Sequence, residues 1–164
     1  MTGIKFGLPP IATPDARLFI LGSLPGDASL SAARYYAHPT NQFWRLVGVA
    51  IGESIELAEY DERLRRLGEL RVGLWDVIAS ASRRGSLDQA IRSADHNSLE
   101  HIRRDFPQLE AVAFNGSAAA AAGRQVLAEV GDLALIDLPS SSAANTRPFA
   151  DKARDWAALG KYIG

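Results

Sequence analysis

Cysteine is absent from the 164 residues, methionine occurs only as Met1, and no apolar run approaches the length needed to cross a bilayer. The first absence excludes disulfides, thiolate zinc sites and a cysteine-ligated iron–sulfur cluster. Charge of either sign is also missing in excess, because 18 basic and 19 acidic side chains leave a formal net charge of -1. A nucleic-acid-binding protein of this composition would need a local basic face, since the total supplies none. Internal repeats, low-complexity tracts and a secretory leader are lacking too. Residues Met1 to Pro14 are mixed in character and broken by three prolines. What remains is an ordinary globular balance, 47% apolar and 23% charged. It fits one domain over residues 1–164 with a core that needs no staple, in a cytoplasmic protein.

The chain is organised around the stretch from Gly22 to Trp44, GSLPGDASLSAARYYAHPTNQFW. Before it, Leu18-Phe19-Ile20-Leu21 is a short continuous apolar run, the pattern of a strand covered on both faces. After it, Phe43, Leu46, Val47 and Ala50 recur at helical spacing over Asn41 to Ile51, with Asn41 placed to cap the helix. A long loop rich in Gly, Pro, Ser, Tyr, His and Asn at the carboxyl end of a parallel strand is where ligands bind in such sheets.

Residues Met1 to Asp15 read as an extended lead-in and Ala16 to Leu21 as the first strand. Glu56 to Gly68 reads as a charged amphipathic helix and Arg71 to Val77 as a second strand leaving through Gly-Leu-Trp-Asp. Ser80 to Ile91 is expected to be a loop closing on a short helix. Asn97 to Asp105 reads as a helix with Asn97 and Glu100 in capping-box spacing. Leu109 to Phe114 is a third strand, Gly116 to Val130 an alanine-rich helix able to lie close to the sheet, Leu133 to Leu138 a fourth strand, and Pro148 to Ile163 a closing helix. Strands alternating with helices predict a three-layer α/β/α fold with a central, mainly parallel four-stranded sheet.

Three segments carry a family resemblance: Gly-Ser-x-Pro-Gly from Gly22, continued by Tyr-Tyr-Ala-His-Pro-x-Asn-x-Phe-Trp from Tyr35; Phe114-Asn115-Gly116 after a strand; and Leu138-Pro-Ser-Ser-Ser-Ala-Ala-Asn145 near the end. Together they resemble the uracil-DNA glycosylase superfamily, most closely its hypoxanthine (deoxyinosine) branch. The lack of cysteine separates the chain from the cluster-bearing branches. The resemblance implies a monofunctional enzyme that hydrolyses the N-glycosidic bond of a deaminated base in DNA, with no cofactor and no metal, acting as a monomer.

It also implies roles. Tyr36 takes the place of the aromatic that stacks on the extruded base, a contact worth roughly 1–3 kcal/mol. Asn115 reads that base through its amide, which donates and accepts at once, while Gly22 and Pro25 frame the pocket. Ser23 and Asn41 are the catalytic candidates: Ser23 stands in the motif where many relatives carry an Asp or Asn, so positioning the water passes to Asn41, whose amide oxygen can orient water toward an oxocarbenium-like sugar. Asp27 is a rival base. His38, Ser140, Ser141, Ser142, Asn145 and Arg147 are candidates for holding the DNA strand, with Arg83, Arg84 and Lys152 as further phosphate-contacting cations. Ala143 and Ala144 stand where relatives often carry a bulky wedge, so the wedge has no obvious seat.

Blander readings exist for each: Tyr35 and Tyr36 as anchors of the loop, Asn115 as a turn residue before glycine, Asn41 as a helix cap, His38 as loop support, and His96 and His101 as surface residues of a helix. Two other functions compete: a small-ester serine hydrolase pairing a serine of Ser140 to Ser142 with His38, which lacks the Gly-x-Ser-x-Gly elbow, and a non-catalytic nucleic-acid binder.

Overall fold

The computed structural model describes residues 4–83 and 85–163. In chain order the elements are β1 (Ile4–Phe6), β2 (Leu18–Gly22), α1 (Asp27–Ala32), α2 (Phe43–Ile51), α3 (Tyr60–Glu69), β3 (Val72–Asp76), β4 (Ile78–Arg83), β5 (Ile91–His96), α4 (Ile102–Asp105), β6 (Ala111–Asn115), α5 (Ser117–Val126), β7 (Ala134–Leu138) and α6 (Phe149–Trp156), with short 3₁₀ turns between them. Strands β2, β3, β6 and β7 form the expected parallel sheet in the order β3-β2-β6-β7.

The continuous apolar run of β2 is explained by this central place. Leu18 and Ile20 point into a core built with Phe43, Leu46, Val47, Leu67, Trp156 and Leu159. Phe19 and Leu21 point the other way, into a core with Leu99, Ile102, Leu109, Phe114, Ala119 and Leu127. Each such side chain, taken fully out of water, contributes about 1.5–3 kcal/mol, so both layers are needed to hold the strand. On the second face the small residues of α5 allow close approach, because a Cβ on Gly123 would collide with the Phe114 ring.

Register decides where the site can be. Gly22 pairs with Asp76, Leu21 with Phe114, and Asn115 with Leu138. The carboxyl ends of all four strands therefore finish level at Gly22, Asp76, Asn115 and Leu138, each releasing its loop on the same edge.

Two expectations fail. The loop expected over Ser80 to Ile91 begins later: Ser80 to Arg83 lie in β4, which pairs antiparallel with both β1 and β5 in a separate three-stranded sheet of order β1-β4-β5, and only the part that closes on the 3₁₀ turn Asp88–Ala90 matches. The sequence Ile-Ala-Ser-Ala-Ser-Arg disguises the strand because one inward position is taken by Arg83, only 1% exposed, where a hydrophobic residue would be expected. The capping box at Asn97 does not form either. Its Nδ2 donates to the Asp76 carbonyl at 2.7 Å, and the chain passes through a 3₁₀ turn at Leu99–His101 before the short α4. His96 thus ends β5, and His101 lies in that turn.

Gly123→Ala forces a methyl group into the Phe114 ring and should lower stability by about 1–3 kcal/mol, read as a shift in the urea unfolding midpoint with unchanged slope.

Candidate active site

The level strand ends and their loops enclose a cleft of about 990 Å³, lined among others by Gly22, Ser23, Pro25, Tyr36, His38, Asn41, Asp76, Asp88, Asn115, Ser140 to Ser142, Asn145 and Arg147. The residues singled out from sequence for catalysis and base contact meet there, as do His38, Ser140 to Ser142, Asn145 and Arg147. Asp27 does not line it. That carboxylate sits in the first turn of α1, paired with Lys5 Nζ at 2.7 Å.

Asn115 ends β6 and is buried. Gly116 follows with φ of +96°, and a Cβ there would stand 3.2 Å from the Ser140 Cβ, so only glycine lets the two loops approach this closely. The approach lets Ser141 grip the amide reciprocally: the Ser141 N–H donates to Asn115 Oδ1 at 2.9 Å, and Asn115 Nδ2 donates to Ser141 Oγ at 2.9 Å. Ser141 was expected at phosphate. Its hydroxyl instead orients the amide, while its carbonyl accepts from Gln42 N at 2.9 Å at the head of α2.

Tyr35 and Tyr36 divide the labour of their loop. Tyr35 is the anchor, with its hydroxyl donating to the Pro9 carbonyl at 2.7 Å and its backbone N–H donating to the Tyr60 hydroxyl at 2.9 Å. Tyr36 stacks on Phe43 with ring centroids 3.7 Å apart and planes 12° from parallel. Its backbone is left-handed, φ of +55°, a conformation that costs a non-glycine residue on the order of 1–3 kcal/mol and is typical of functional loops. The Tyr36 hydroxyl is buried with no hydrogen-bond partner among the described residues. Burial and then the nearby Asp76 raise its pKa, while the Asn115 amide is close enough to offset part of this without a well-formed hydrogen bond.

Asn41 lines the cleft and stands one residue before the cap position of α2, which is Gln42 and not Asn41 as expected; its Oδ1 accepts from Phe43 N at 2.9 Å, and one lone pair of that oxygen remains. His38 Nδ1 accepts from Thr40 N at 3.2 Å, which makes it a support of the loop. Ser23 donates to Asp88 Oδ1 at 2.5 Å, so its proton is committed to a neighbouring carboxylate.

The cations sort differently from expectation. Arg83 is buried and donates to the carbonyls of Leu24, Pro25 and Gly85, clamping the glycine turn after β2. Lys152 is likewise buried, donating to Gln42 Oε1 and to the Ser142 and Asn145 carbonyls at 2.8–3.2 Å. Both are structural because backbone carbonyls at loop turns claim them before a phosphate can. Arg147 stays on the cleft, exposed, beside Asp155 at 3.2 Å. Exposed pairs of this kind are worth about 0–1 kcal/mol, so exchanging that partner for a phosphate costs little. Arg84 lies outside the described residues.

The hydroxyls near His38 do not form a hydrolase dyad. Ser140 Oγ accepts from Ser142 N, Ser142 Oγ accepts from Ala144 N, and no serine–histidine hydrogen bond exists among the described residues. Nor, among them, is there a group of three or more His, Asp or Glu gathered for a metal ion, or a helix long and apolar enough to cross a membrane.

Sequence reasoning missed Asp76. It ends β3 with 3% exposure, its Oδ2 has no hydrogen-bond partner among the described residues, and it faces the cleft between Gly22 and Tyr36. Desolvation, reinforced by the Asp88 carboxylate and opposed by Arg83, pushes its pKa up to about 7. The signal was present as an acid closing an otherwise apolar strand, Val-Gly-Leu-Trp-Asp.

A parallel sheet whose level strand ends gather an oriented buried amide and a stacked aromatic at one cleft defines a class that the comparisons make explicit. A profile of the uracil DNA glycosylase superfamily matches residues 9–160. The chain belongs to this superfamily and is a DNA glycosylase. A protein of Methanosarcina acetivorans named hypoxanthine DNA glycosylase is 38% identical over 159 residues, 97% of this chain and 99% of its own. A namesake from Methanosarcina barkeri is 38% identical over 153 residues, covering 93% and 96%. The solution NMR structure of a Methanosarcina acetivorans protein, described as a candidate uracil DNA glycosylase, superposes with a TM-score of 0.87 at 38% identity over 97% of this chain and 98% of that one.

Because the Asp76 pKa rises from 3.8 to about 7 on folding, the folded state holds a proton that the unfolded chain releases. The associated stability is full below about pH 4 and is lost as pH climbs through 7. Asp76→Asn should therefore stabilise the protein at about pH 8 by on the order of 1–3 kcal/mol, and much less at about pH 4, in melts compared across pH.

Proposed function

We propose that this glycosylase excises deaminated bases, hypoxanthine foremost and uracil second, and leaves an abasic site. The observation that carries this reading is the single orientation imposed on the Asn115 amide. The Ser141 N–H can only donate, so it holds Oδ1 against itself; a flipped amide would face donor with donor. Each amide atom keeps one further hydrogen-bonding capacity. Together they offer a donor for the base carbonyl and an acceptor for the adjacent ring N–H, the edge shared by hypoxanthine and uracil. Adenine and cytosine present the reverse and would leave buried polar groups unpaired, the mismatch that discriminates most strongly. The names of the Methanosarcina relatives agree with a hypoxanthine substrate.

Extrusion of the nucleotide costs a few kcal/mol of unstacking, which a stacking and hydrogen-bonding pocket offsets. Phe43 already covers one face of Tyr36, so the other face is the one open to a base. In the reaction the bond from the sugar C1′ to the base nitrogen breaks and its electron pair leaves with the base. A water oxygen then bonds to C1′, and the proton the water sheds ends on the departed base. The developing oxocarbenium character needs an oriented water more than a strong base, and Asn41, its amide held still by Phe43 N, supplies the orientation. Arg147 and the loop of residues 139–145, Ser141 apart, are the parts assigned to phosphate in this reading, because they line the cleft.

Duplexes holding one inosine or one uracil, incubated with the protein and then cleaved at abasic sites with alkali, test this directly. Asn115→Ala should lose on the order of 10²-fold or more of single-turnover excision, with duplex binding unchanged in a gel-shift titration. Equal losses of binding and excision would return Asn115 to the role of turn residue.

Asn41→Ala should cost on the order of 10²-fold at every pH where the protein stays folded, since an amide does not titrate. Asp27→Asn, whose carboxylate is turned to Lys5 and does not line the cleft, should excise at close to the wild-type rate.

A further inference from the structure

The reaction as described leaves two buried polar atoms unused. Tyr36 Oη and Asp76 Oδ2 have no hydrogen-bond partner among the described residues, and both side chains line the cleft. A Cβ on Gly22 would lie 2.6 Å from Asp76 Oδ1 and 3.0 Å from Tyr36 Oη, so the two groups converge on the same bare Cα at the cleft floor. Buried polar groups are normally paired, and unpaired ones that line a cleft are free to take a partner from a ligand.

We propose that the Asp76 carboxyl is a further base-contacting group, meeting the extruded purine at an acceptor atom that the Asn115 amide does not use. This rests on the reading of hypoxanthine as substrate. With Asn115 matched to O6 and N1–H, the acceptor next to that edge is N7, and a hydrogen bond donated there draws electron density from the imidazole ring as the bond to C1′ breaks. Donation requires the acid form. The groups facing the carboxyl favour it: Asp88, held in place by Ser23, adds a like charge, and Tyr35 and Tyr36 are neutral. Arg83 opposes it but is turned toward the carbonyls of the glycine turn. The carboxyl therefore keeps its proton up to about pH 7. Above that it ionises, loses its donor and sets a negative charge beside the acceptor edge of the base.

The test is single-turnover excision of inosine from a duplex between about pH 5.5 and about pH 8.5, for wild type, Asp76→Asn and Asp76→Ala, with thermal melts alongside. The wild-type rate is expected to fall about tenfold per unit above an apparent pKa near 7. Asp76→Asn keeps an N–H donor that cannot ionise, so its profile should be flat and should cross the wild-type curve at alkaline pH. Asp76→Ala should lose about tenfold or more at acid pH, where the wild type is fully active. A wild-type profile flat through pH 7, or an Asp76→Asn variant with the wild-type limb, would overturn the assignment while leaving the glycosylase reading intact. Failure of the wild-type protein to release hypoxanthine at any pH would overturn both. If Asp76→Ala does not fold, the shape of the Asp76→Asn profile decides alone.

Discussion

The site depends on the reciprocal hydrogen bonding of Asn115 and Ser141. Both residues are buried, so each polar atom left unpaired would cost about 1–3 kcal/mol, and the pair satisfies two on either side. Its reach is longer than one contact. The Ser141 carbonyl takes the N–H of Gln42, and the Gln42 side chain takes Lys152 Nζ, whose other donors hold the Ser142 and Asn145 carbonyls. The end of β6, the loop after β7, the head of α2 and the body of α6 are thereby one connected polar unit beneath the cleft. Trp156 closes it from below, donating to the Pro139 carbonyl at 2.9 Å.

Against this fully satisfied half stands an unsatisfied one. On the β2 and β3 side the cleft keeps a tyrosine in a left-handed conformation, a hydroxyl without a partner and a desolvated carboxyl beside a second carboxylate. None of these serves stability. A polar network that is complete is rigid, and strain held next to it is over-determined by it. The division suits a base-excising enzyme, in which one wall must keep a fixed hydrogen-bonding pattern and the other must gain its partners from the base. The second sheet belongs to the same arrangement. Through Arg83 it clamps the glycine turn, and the turn after β4 carries Asp88 to Ser23 and toward Asp76.

Much of the fold was legible because parallel strands buried on both faces leave a plain mark. Leu18 to Leu21 and Ala111 to Phe114 are continuous apolar runs, and Leu133 to Leu138 is one broken only by Asp137; each leads into glycine or a polar loop, and each strand was found within a few residues. The β4–β5 region was not, since Ser80, Ser82 and the inward Arg83 carry no alternating apolar pattern; that strand is held by its ladder and by the clamp. The same asymmetry governs the site. The polar motif residues assigned to the site line the cleft, while Phe43, Trp44 and Phe114 of the same motifs are core; Asp76 carries no motif and became visible only through its burial.

The sequence by itself determined the family, the parallel sheet and the identity of the loops that meet at its edge, because those follow from local periodicity and from residue types at fixed spacing. It also determined that no disulfide or thiolate centre contributes, since there is no cysteine to make one. Only the tertiary structure decided which polar atoms were already spent. Whether Ser141 faces phosphate or an amide, and whether Lys152 and Arg83 are free cations or buried clamps, depends on partners 26, 110 and 59 positions away in the chain, and whether Asp76 is an ordinary acid or a desolvated one depends on its burial. Hydrogen bonding and desolvation are set by what lies within a few ångströms, and sequence spacing does not encode that distance.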